Sequence, residues 1–360
     1  MFNNVYRNTK VFVTGHTGFK GSWLTLYLLE LGAEVFGYAL EPPSLPNHYD
    51  LLQLEIESCI NDIRDVKNVH KAIESFRPDI IFHLAAQPLV RRSYKKPIET
   101  ISINIMGTTN LLEACRNIQS VKSIVIITSD KCYQNQEWIW GYRESDPVGG
   151  SDPYSASKAC VELITASYRN SFFPLNQYLK NHQTLVASAR AGNVIGGGDW
   201  GKDRLVPEIM CAARDNKKVA IRNPQAIRPW QHVLEPLSGY LLLGQKLLEK
   251  NKEYAEAWNF GPSEEDHTTV SSVVRQLKSW WDNIDFEIIK HLDTPRETNI
   301  LKLDSSKARS KLGWKPVWNT TKALKKTSEW YREYYEFNRL ISHKQLLQFL
   351  ENKIQKKYDQ

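Results

Sequence analysis

Short apolar runs alternate with longer stretches of helical spacing through the first half of the chain. Val11–Thr14, Glu34–Leu40, Ser58–Asn61, Asp79–Leu84, Ser123–Ile127 and Thr184–Ala189 have the length and composition of strands. Between them Ser22–Leu31, Val66–Phe76 and Pro97–Asn117 carry apolar residues at three- and four-residue intervals. A further helix opens near Tyr154. This alternation predicts an α/β fold with a doubly wound parallel sheet, covered on both faces. Beyond residue 200 the alternation weakens. Helical patterns at Leu205–Asp215, Glu235–Glu249, Thr269–Trp281 and Thr320–Glu336 surround short strands near Val219–Arg222 and Ala257–Asn259. The expected layout is a first domain over 1–190, to which later segments can return, a smaller α/β lobe over 191–337, and a polar tail over 338–360. Leu346, Leu347, Phe349, Leu350 and Ile354 make the tail either a peripheral amphipathic helix or a frayed end.

The first strand runs into Thr14-Gly15-His16-Thr17-Gly18-Phe19-Lys20-Gly21, and the first helix follows. Strand, glycine-rich turn and helix together are the setting of a dinucleotide fingerprint. Gly15 permits the tight turn, Gly18 lets the backbone approach a pyrophosphate, and Gly21 lets helix pack on strand. The helix N-terminus then faces the phosphates. An acid that holds the cofactor ribose belongs near the end of the second strand, but Ala39 stands there and Glu41 lies two residues on. No Arg or Lys occurs between Glu34 and Tyr49 to meet a 2′-phosphate, so NAD is expected over NADP. Asp62 and Ile63 are placed to border an adenine, unless Asp62 simply belongs to a helix start. Leu84-Ala85-Ala86-Gln87 leaves room for the cofactor across the strand ends. Asn104, a polar residue in an apolar helix, is either a core amide or a support behind the site.

Thr128-Ser129-Asp130-Lys131 ends a buried strand, and Tyr154-Ser155-Ala156-Ser157-Lys158 opens a helix, so Tyr154 and Lys158 share one face. A nearby ammonium favours the phenolate, which should bring the Tyr154 pKa below its usual value of roughly 10. Tyr154 is then a base for a sugar or alcohol hydroxyl. Taken alone, such a pair is more often a solvated contact. Asn193 and the loop Gly196–Gly198 follow the sixth strand, where ligands of such folds sit. Arg228 is either a bidentate phosphate clamp or a surface residue beside Pro229. His232 and Cys132 read as packed side chains.

Net charge is +7, with much of the excess at Lys302, Lys307, Arg309, Lys311, Lys315, Lys322, Lys325 and Lys326. With no clustered stripe or nucleic-acid motif, the excess reads as a solvated face and suits an anionic small substrate. No nucleic-acid partner is expected. No apolar run reaches the roughly 18 residues that span a bilayer, so no membrane partner is expected either. Cys59, Cys115, Cys132, Cys160 and Cys211 show no paired spacing, and MFNNVYRNTK has no apolar leader. Free thiols and a cytoplasmic location follow. Neither zinc-type spacing nor a G-x-S-x-G elbow occurs, so no metal is expected.

Together TGHTGFKGSW (14–23), HLAAQPLVRRSY (83–94), TSDKCY (128–133), SDPYSASK (151–158), ARAGNVIGGGDW (189–200) and RPWQHV (228–233) resemble the extended short-chain dehydrogenase/reductase family of nucleotide-sugar enzymes. LDSSKA (303–308) and LGWKP (312–316) resemble its C-terminal segment. The resemblance implies a Rossmann fold with G-x-x-G-x-x-G spacing and, within the family, a 4,6-dehydratase acting on CDP-glucose. It implies oxidation at C4, loss of water across C5–C6 and reduction at C6, with NAD regenerated. The implied cofactor contacts are Gly15, His16, Thr17, Gly18, Phe19, Gly21, Asp62, Ile63, Leu84, Ala85, Ala86, Gln87, Asn104, Thr128, Tyr154 and Lys158. Position by position, Tyr154 with Lys158 takes the 4-hydroxyl proton, Ser129 bonds the 4-oxygen and Asp130 protonates the departing 6-hydroxyl. Enzymes of the dTDP-glucose type carry Thr-Asp-Glu here, so Lys131 stands where the C5 base is expected. Either Lys131 loses its proton and acts as base, or it stays charged, stabilises the enolate, and another group takes the proton. Asn193, Arg228, Asn259 and Arg204 are the implied substrate contacts. A homodimer through helices near 97–117 and 154–170 is implied as well. A nucleotide-sugar 4-epimerase shares the Tyr-Lys pair but has no use for Asp130 beside Lys131. A non-catalytic NAD-sensing protein would not need the pair at all.

Overall fold

The computed structural model describes residues 1–266, 268–289 and 300–358. Seven parallel strands form the main sheet: β1 (Lys10–Thr14), β2 (Glu34–Ala39), β3 (Glu57–Ile60), β4 (Ile80–His83), β5 (Ser123–Ile127), β6 (Leu185–Ala191) and β7 (Ala257–Phe260). Their order is β7-β6-β5-β4-β1-β2-β3. The central strands are apolar throughout because both sheet faces are covered. Val11, Val13, Ile80, Phe82 and Val125 point into one core, and their neighbours Phe12, Ile81, Ile124 and Ile126 into the other. The chain steps outward from β1 in both directions. The β1–β4 junction is therefore the switch point, and a crevice opens at the carboxyl ends of these strands.

Helix α1 (Phe19–Glu30) follows β1, and α2 (Val66–Phe76) is capped by Asp65, which accepts from Asn68 N. Helix α3 (Pro153–Ser171) starts with Asp152 as cap and proline in its first turn. The single helix expected over 97–117 is instead Pro97–Ile101, a π turn at Ser102–Met106, and Gly107–Cys115. The wide turn holds Asn104, whose amide bonds the backbone N and O of Gln87 (2.8 and 3.2 Å) and Ser157 Oγ (2.8 Å). Asn104 thus ties the β4 loop to the helix that carries Tyr154.

Helices α4 (Leu205–Arg214) and α5 (Leu234–Leu248) come next in the chain. Lys218–Ile221, between these two helices, pairs with Asp285–Ile288, a strand that the sequence pattern did not reveal. Strand β7 comes back to pair with β6, and α5 packs against β5 and β6. Helix α6 (Thr320–Phe337) and helix α7 (Ser342–Tyr358) complete the described chain. The tail is a docked helix, with Leu346 and Phe349 fully buried. Ser342 Oγ meets His48 Nε2 and accepts from Trp330 Nε1, both at 2.8 Å. Trp318 Nε1 donates to Asn352 Oδ1 at 2.9 Å. The last two residues of the tail lie outside the described residues.

Candidate active site

β5 delivers Thr128 and Ser129 to the crevice, and a single 3-10 turn, Asp130–Cys132, begins there. Ser129 Oγ donates to Asp130 Oδ1 (3.0 Å) and accepts from Lys131 N (3.2 Å). Asp130 is 2% exposed, and its Oδ2 has no hydrogen-bond partner among the described residues. Burial pushes its pKa upward, although Lys131, the Ser129 hydroxyl, Arg228 and Lys20 pull the other way. The shift is in the direction of the protonated form, the form from which an acid gives up a proton.

Tyr154 enters from the first turn of α3, its N–H held by Ser93 Oγ and Asp152 Oδ1. Lys158 Nζ donates to Ile127 O at 3.3 Å. Both side chains are buried. The expected fall in the Tyr154 pKa does not occur in this cavity. Burial raises it to about 12, while a hydrogen bond with Ser129 and the charge of Arg204 favour the phenolate. Burial also lowers Lys158 to about 8, against the carboxylate of Glu162 on the next turn. Helical spacing puts Tyr154 and Lys158 on one face but does not give their depth. Loss of water dominates at Tyr154, the favourable influences there come from Ser129 and Arg204, and the Lys158 ammonium bonds Ile127 O instead of the phenol.

Behind this layer, Glu162 accepts from Thr128 Oγ1, Ser188 Oγ (2.7 Å) and Arg190 Nη2 (2.9 Å). Arg190 Nη1 donates to Tyr133 OH (2.7 Å), which donates to Asn259 Oδ1 (2.7 Å). This buried network pins both ends of the turn that carries Ser129, Asp130 and Lys131, at Thr128 and Tyr133. The sequence reading missed it. The only sign was charge where none is expected, Arg190 within a buried strand and Glu162 one helical turn past Lys158.

The crevice is a cavity of about 1860 Å³, larger than the ~300–1000 Å³ of a single small-ligand site. All but three of the expected contact residues line it; the exceptions are His16, Asn104 and Asn259. His16 tucks its ring under β2, where a Cβ on Gly37 would fall 2.5 Å from it, and burial lowers its pKa to about 4. Asn104 is the bracket described above. Asn259 is fully buried, and its amide donates to Tyr142 O (2.8 Å) and Asp304 O (3.1 Å), which braces β7. Arg204, expected on the substrate, pairs with Asp199 at 2.8 Å and acts electrostatically on Tyr154. His232 and Cys132 are buried, as expected.

The glycine turn fits a dinucleotide. Gly15 has φ +75°, and a Cβ on it would lie 2.8 Å from Ala85 N. A Cβ on Gly21 would lie 2.0 Å from Gly15 O, so only glycine lets α1 close on the turn. Glu41 and Asp62 line the cavity where a ribose acid is wanted. Arg64 also lines it but is bound to Asp62 at 2.5 Å. Lys20 lines the cavity too, and the sequence reading passed over it inside the glycine motif. Its signal was a positive charge in the first turn of a helix, where the dipole disfavours one. Among the described residues no cluster suited to a metal ion occurs. No described helix is long and apolar enough to cross a membrane.

Over residues 12–327 the chain matches the protein family described as GDP-mannose 4,6 dehydratase. A CDP-glucose 4,6-dehydratase of Salmonella typhimurium is 51% identical over 331 residues, covering 91% of this chain and 92% of that protein. Among solved structures, an epimerase from Methanothermobacter thermautotrophicus aligns with TM-score 0.79 at 24% identity, covering 93% of this chain and 95% of that one. A dTDP-glucose 4,6-dehydratase from Bacillus anthracis in complex with NAD aligns with TM-score 0.76 at 20% identity, covering 91% and 98%. Those two likenesses are of fold alone. The family match spans most of the chain and the Salmonella protein shares about half of its residues, so the chain belongs to the GDP-mannose 4,6 dehydratase family.

Proposed function

We infer that the enzyme is an NAD-dependent hydro-lyase that converts CDP-glucose to CDP-4-keto-6-deoxyglucose. The observation that carries the reading is Asp130, a buried carboxyl biased toward its protonated form and set beside Ser129 and Lys131. An epimerase needs no acid to expel a hydroxyl. The 51% identity to the Salmonella enzyme supports CDP-glucose as the substrate.

NAD, held by the glycine turn and the β4 loop, supplies the redox chemistry between C4 and C6 of the hexose. The chain's own groups handle protons. Tyr154 accepts the 4-hydroxyl proton, assisted by the positive charges of Lys158 and Arg204, while Ser129 donates to the 4-oxygen. Asp130 gives its proton to the 6-hydroxyl as water leaves. Lys131, on the same turn, either takes the C5 proton or stays charged and stabilises the enolate. Asn193 and Arg228 bind the substrate phosphates. Residues 1–190 mainly hold the cofactor and 191–337 mainly the nucleotide sugar.

The working unit is a homodimer in the cytoplasm. Ile98 (82% exposed), Ile101, Met106 and Leu163 stand exposed on the helices near 97–115 and on α3, and a second copy would cover them as a four-helix interface. All five cysteines are free, which suits a reducing compartment. Purified protein with NAD is to be given CDP-, dTDP-, UDP- and GDP-hexoses and the products weighed. Loss of one water from CDP-glucose is expected. An isomer of unchanged mass would make the enzyme an epimerase and end this reading.

A further inference from the structure

Lys20 is the second residue of α1 and lines the catalytic cavity. Among the described residues its ammonium has neither a hydrogen-bond nor an ion-pair partner. Two carboxylates, Asp130 and Asp199, lie within electrostatic reach, as do two cations, Arg204 and Lys158. Asp199 is already committed. It pairs with Arg204 Nη1 at 2.8 Å and accepts from Gly201 N at 2.9 Å. One carboxylate oxygen of Asp130 is taken by Ser129, and burial biases the group toward its neutral acid.

Arg204 is answered by Asp199 and Lys158 by the field of Glu162, so Lys20 faces this cavity with two further cations close by and no ion-pair partner of its own among the described residues. The first turn of α1 adds the positive end of a helix dipole. Such a concentration of positive charge is costly unless a ligand brings the balancing anion. A lysine there is also unnecessary for the turn itself, since the glycines alone shape it. The reading of this cavity as a site for a dinucleotide and a nucleotide sugar supplies the anion, because each carries a diphosphate. On that reading, we propose that Lys20 is a diphosphate ligand whose ammonium, with the first-turn N–H groups of α1, binds a diphosphate oxygen.

Burial first, and then Arg204 and Lys158, hold Lys20 at a lowered pKa of about 8. A diphosphate in contact favours the charged form, so binding takes up a proton. Affinity is then full below the ligand-free pKa and weakens as pH rises through it. Lys158, also near 8, titrates in the same window, while Tyr154, Asp130, Asp199 and Arg204 face the same space. Only comparison with a variant isolates Lys20.

Calorimetric titration with NAD alone and with CDP alone tests the proposal on wild type, Lys20→Met, Lys20→Gln and Lys20→Arg, at about pH 7 and about pH 9. Lys20→Met should weaken one of the two ligands by roughly 10- to 100-fold at the lower pH, the usual worth of a charge-assisted contact. Lys20→Arg should stay within a few-fold. The wild-type loss of affinity toward high pH should shrink in Lys20→Met. Weakening of NAD assigns the contact to the cofactor's diphosphate, and weakening of CDP to the substrate's. Should Lys20→Met fail to fold, Lys20→Gln keeps the length and polarity and is read in its place. Unchanged affinity for both ligands overturns the proposal. So does intact binding with turnover arrested after C4 oxidation, which would make Lys20 a proton-transfer group. Failure of the wild type to bind either ligand would instead overturn the functional reading beneath it.

Discussion

Arg190→Met should be among the most damaging single changes outside the cavity. Arg190 and Glu162 are each 5% exposed and lie 2.9 Å apart. Methionine keeps the length of the side chain but removes the charge. Glu162 is left with the hydroxyls of Thr128 and Ser188, and Tyr133 loses the guanidinium that donates to it. Removing one partner of a buried pair costs about 3–5 kcal/mol, because the other charge stays buried and unanswered. The double variant Glu162→Gln/Arg190→Met removes both charges, so it should be less destabilised than Arg190→Met. Urea unfolding with NAD held at one fixed concentration measures both, through the midpoint at constant slope. Turnover should fall in Arg190→Met as well, since Thr128 and Tyr133 bound the turn proposed to carry the acid Asp130.

The pH dependence gives a second readout. In the wild type burial would raise the Glu162 pKa, but Arg190 and the three hydrogen bonds outweigh it and hold the pKa low. That stability is present above the unfolded carboxyl value of roughly 4.3 and is lost as pH falls through the folded value. Without Arg190 the burial effect prevails and the pKa rises, so the deficit of the variant should shrink on acidification. A loss under about 1 kcal/mol, the worth of a surface pair, would refute the reasoning. So would a double variant as unstable as the sum of the singles.

Tyr154→Phe should fold normally and lower turnover by about 10²- to 10⁴-fold, the usual contribution of a positioned proton acceptor; absorbance of reduced nicotinamide after mixing with sugar reads it, and retained turnover ends the assignment. Asp130→Asn should still oxidise C4 yet stall before water is lost, with its unfolding midpoint unchanged or raised because no carboxyl remains to be ionised in a buried site; product mass decides, and undiminished water loss rules the role out. Gly21→Ala places a methyl group 2.0 Å from Gly15 O, so the turn must open, at about 1–3 kcal/mol or more. It should bind NAD far more weakly by calorimetry, and wild-type affinity would show that the turn does not hold the cofactor.

The central strands were legible because burial on both faces leaves an unbroken apolar run, as in Ser123–Ile127. Strand β7 was legible as a strand but not as a member of the main sheet. Its pairing with β6 joins residues far apart in the chain, and nothing local in Ala257–Phe260 records it. The π turn at Ser102–Met106 was hidden for a related reason. Asn104 marked the place, but the widening serves Gln87 and Ser157, which lie on other elements. The tail's apolar residues left helix and frayed end open until His48 and Trp330 were seen to meet Ser342. Asn259 carried the right residue type, and its location at a strand end was right, but Tyr133, Tyr142 and Asp304 consume its amide.

The larger gap concerns charge, and burial explains it. Sequence spacing shows which groups are neighbours; it does not show how much water they keep. Around the Tyr154 end of this cavity burial moves four groups toward their neutral forms: Tyr154 up to about 12, Asp130 upward, Lys158 and Lys20 down to about 8. For Asp130 that direction is useful as it stands, because an acid must arrive protonated. For Tyr154 it is the wrong direction, since a base must arrive without its proton. The Tyr-Lys pair therefore does not make a standing phenolate. On the proposed roles, Ser129 and Arg204, the groups that favour the phenolate here, would stabilise negative charge on the phenol oxygen as the 4-hydroxyl proton moves. On the proposed roles, burial thus shifts the acid toward the form it must start in and leaves the base dependent on its neighbours when the proton moves.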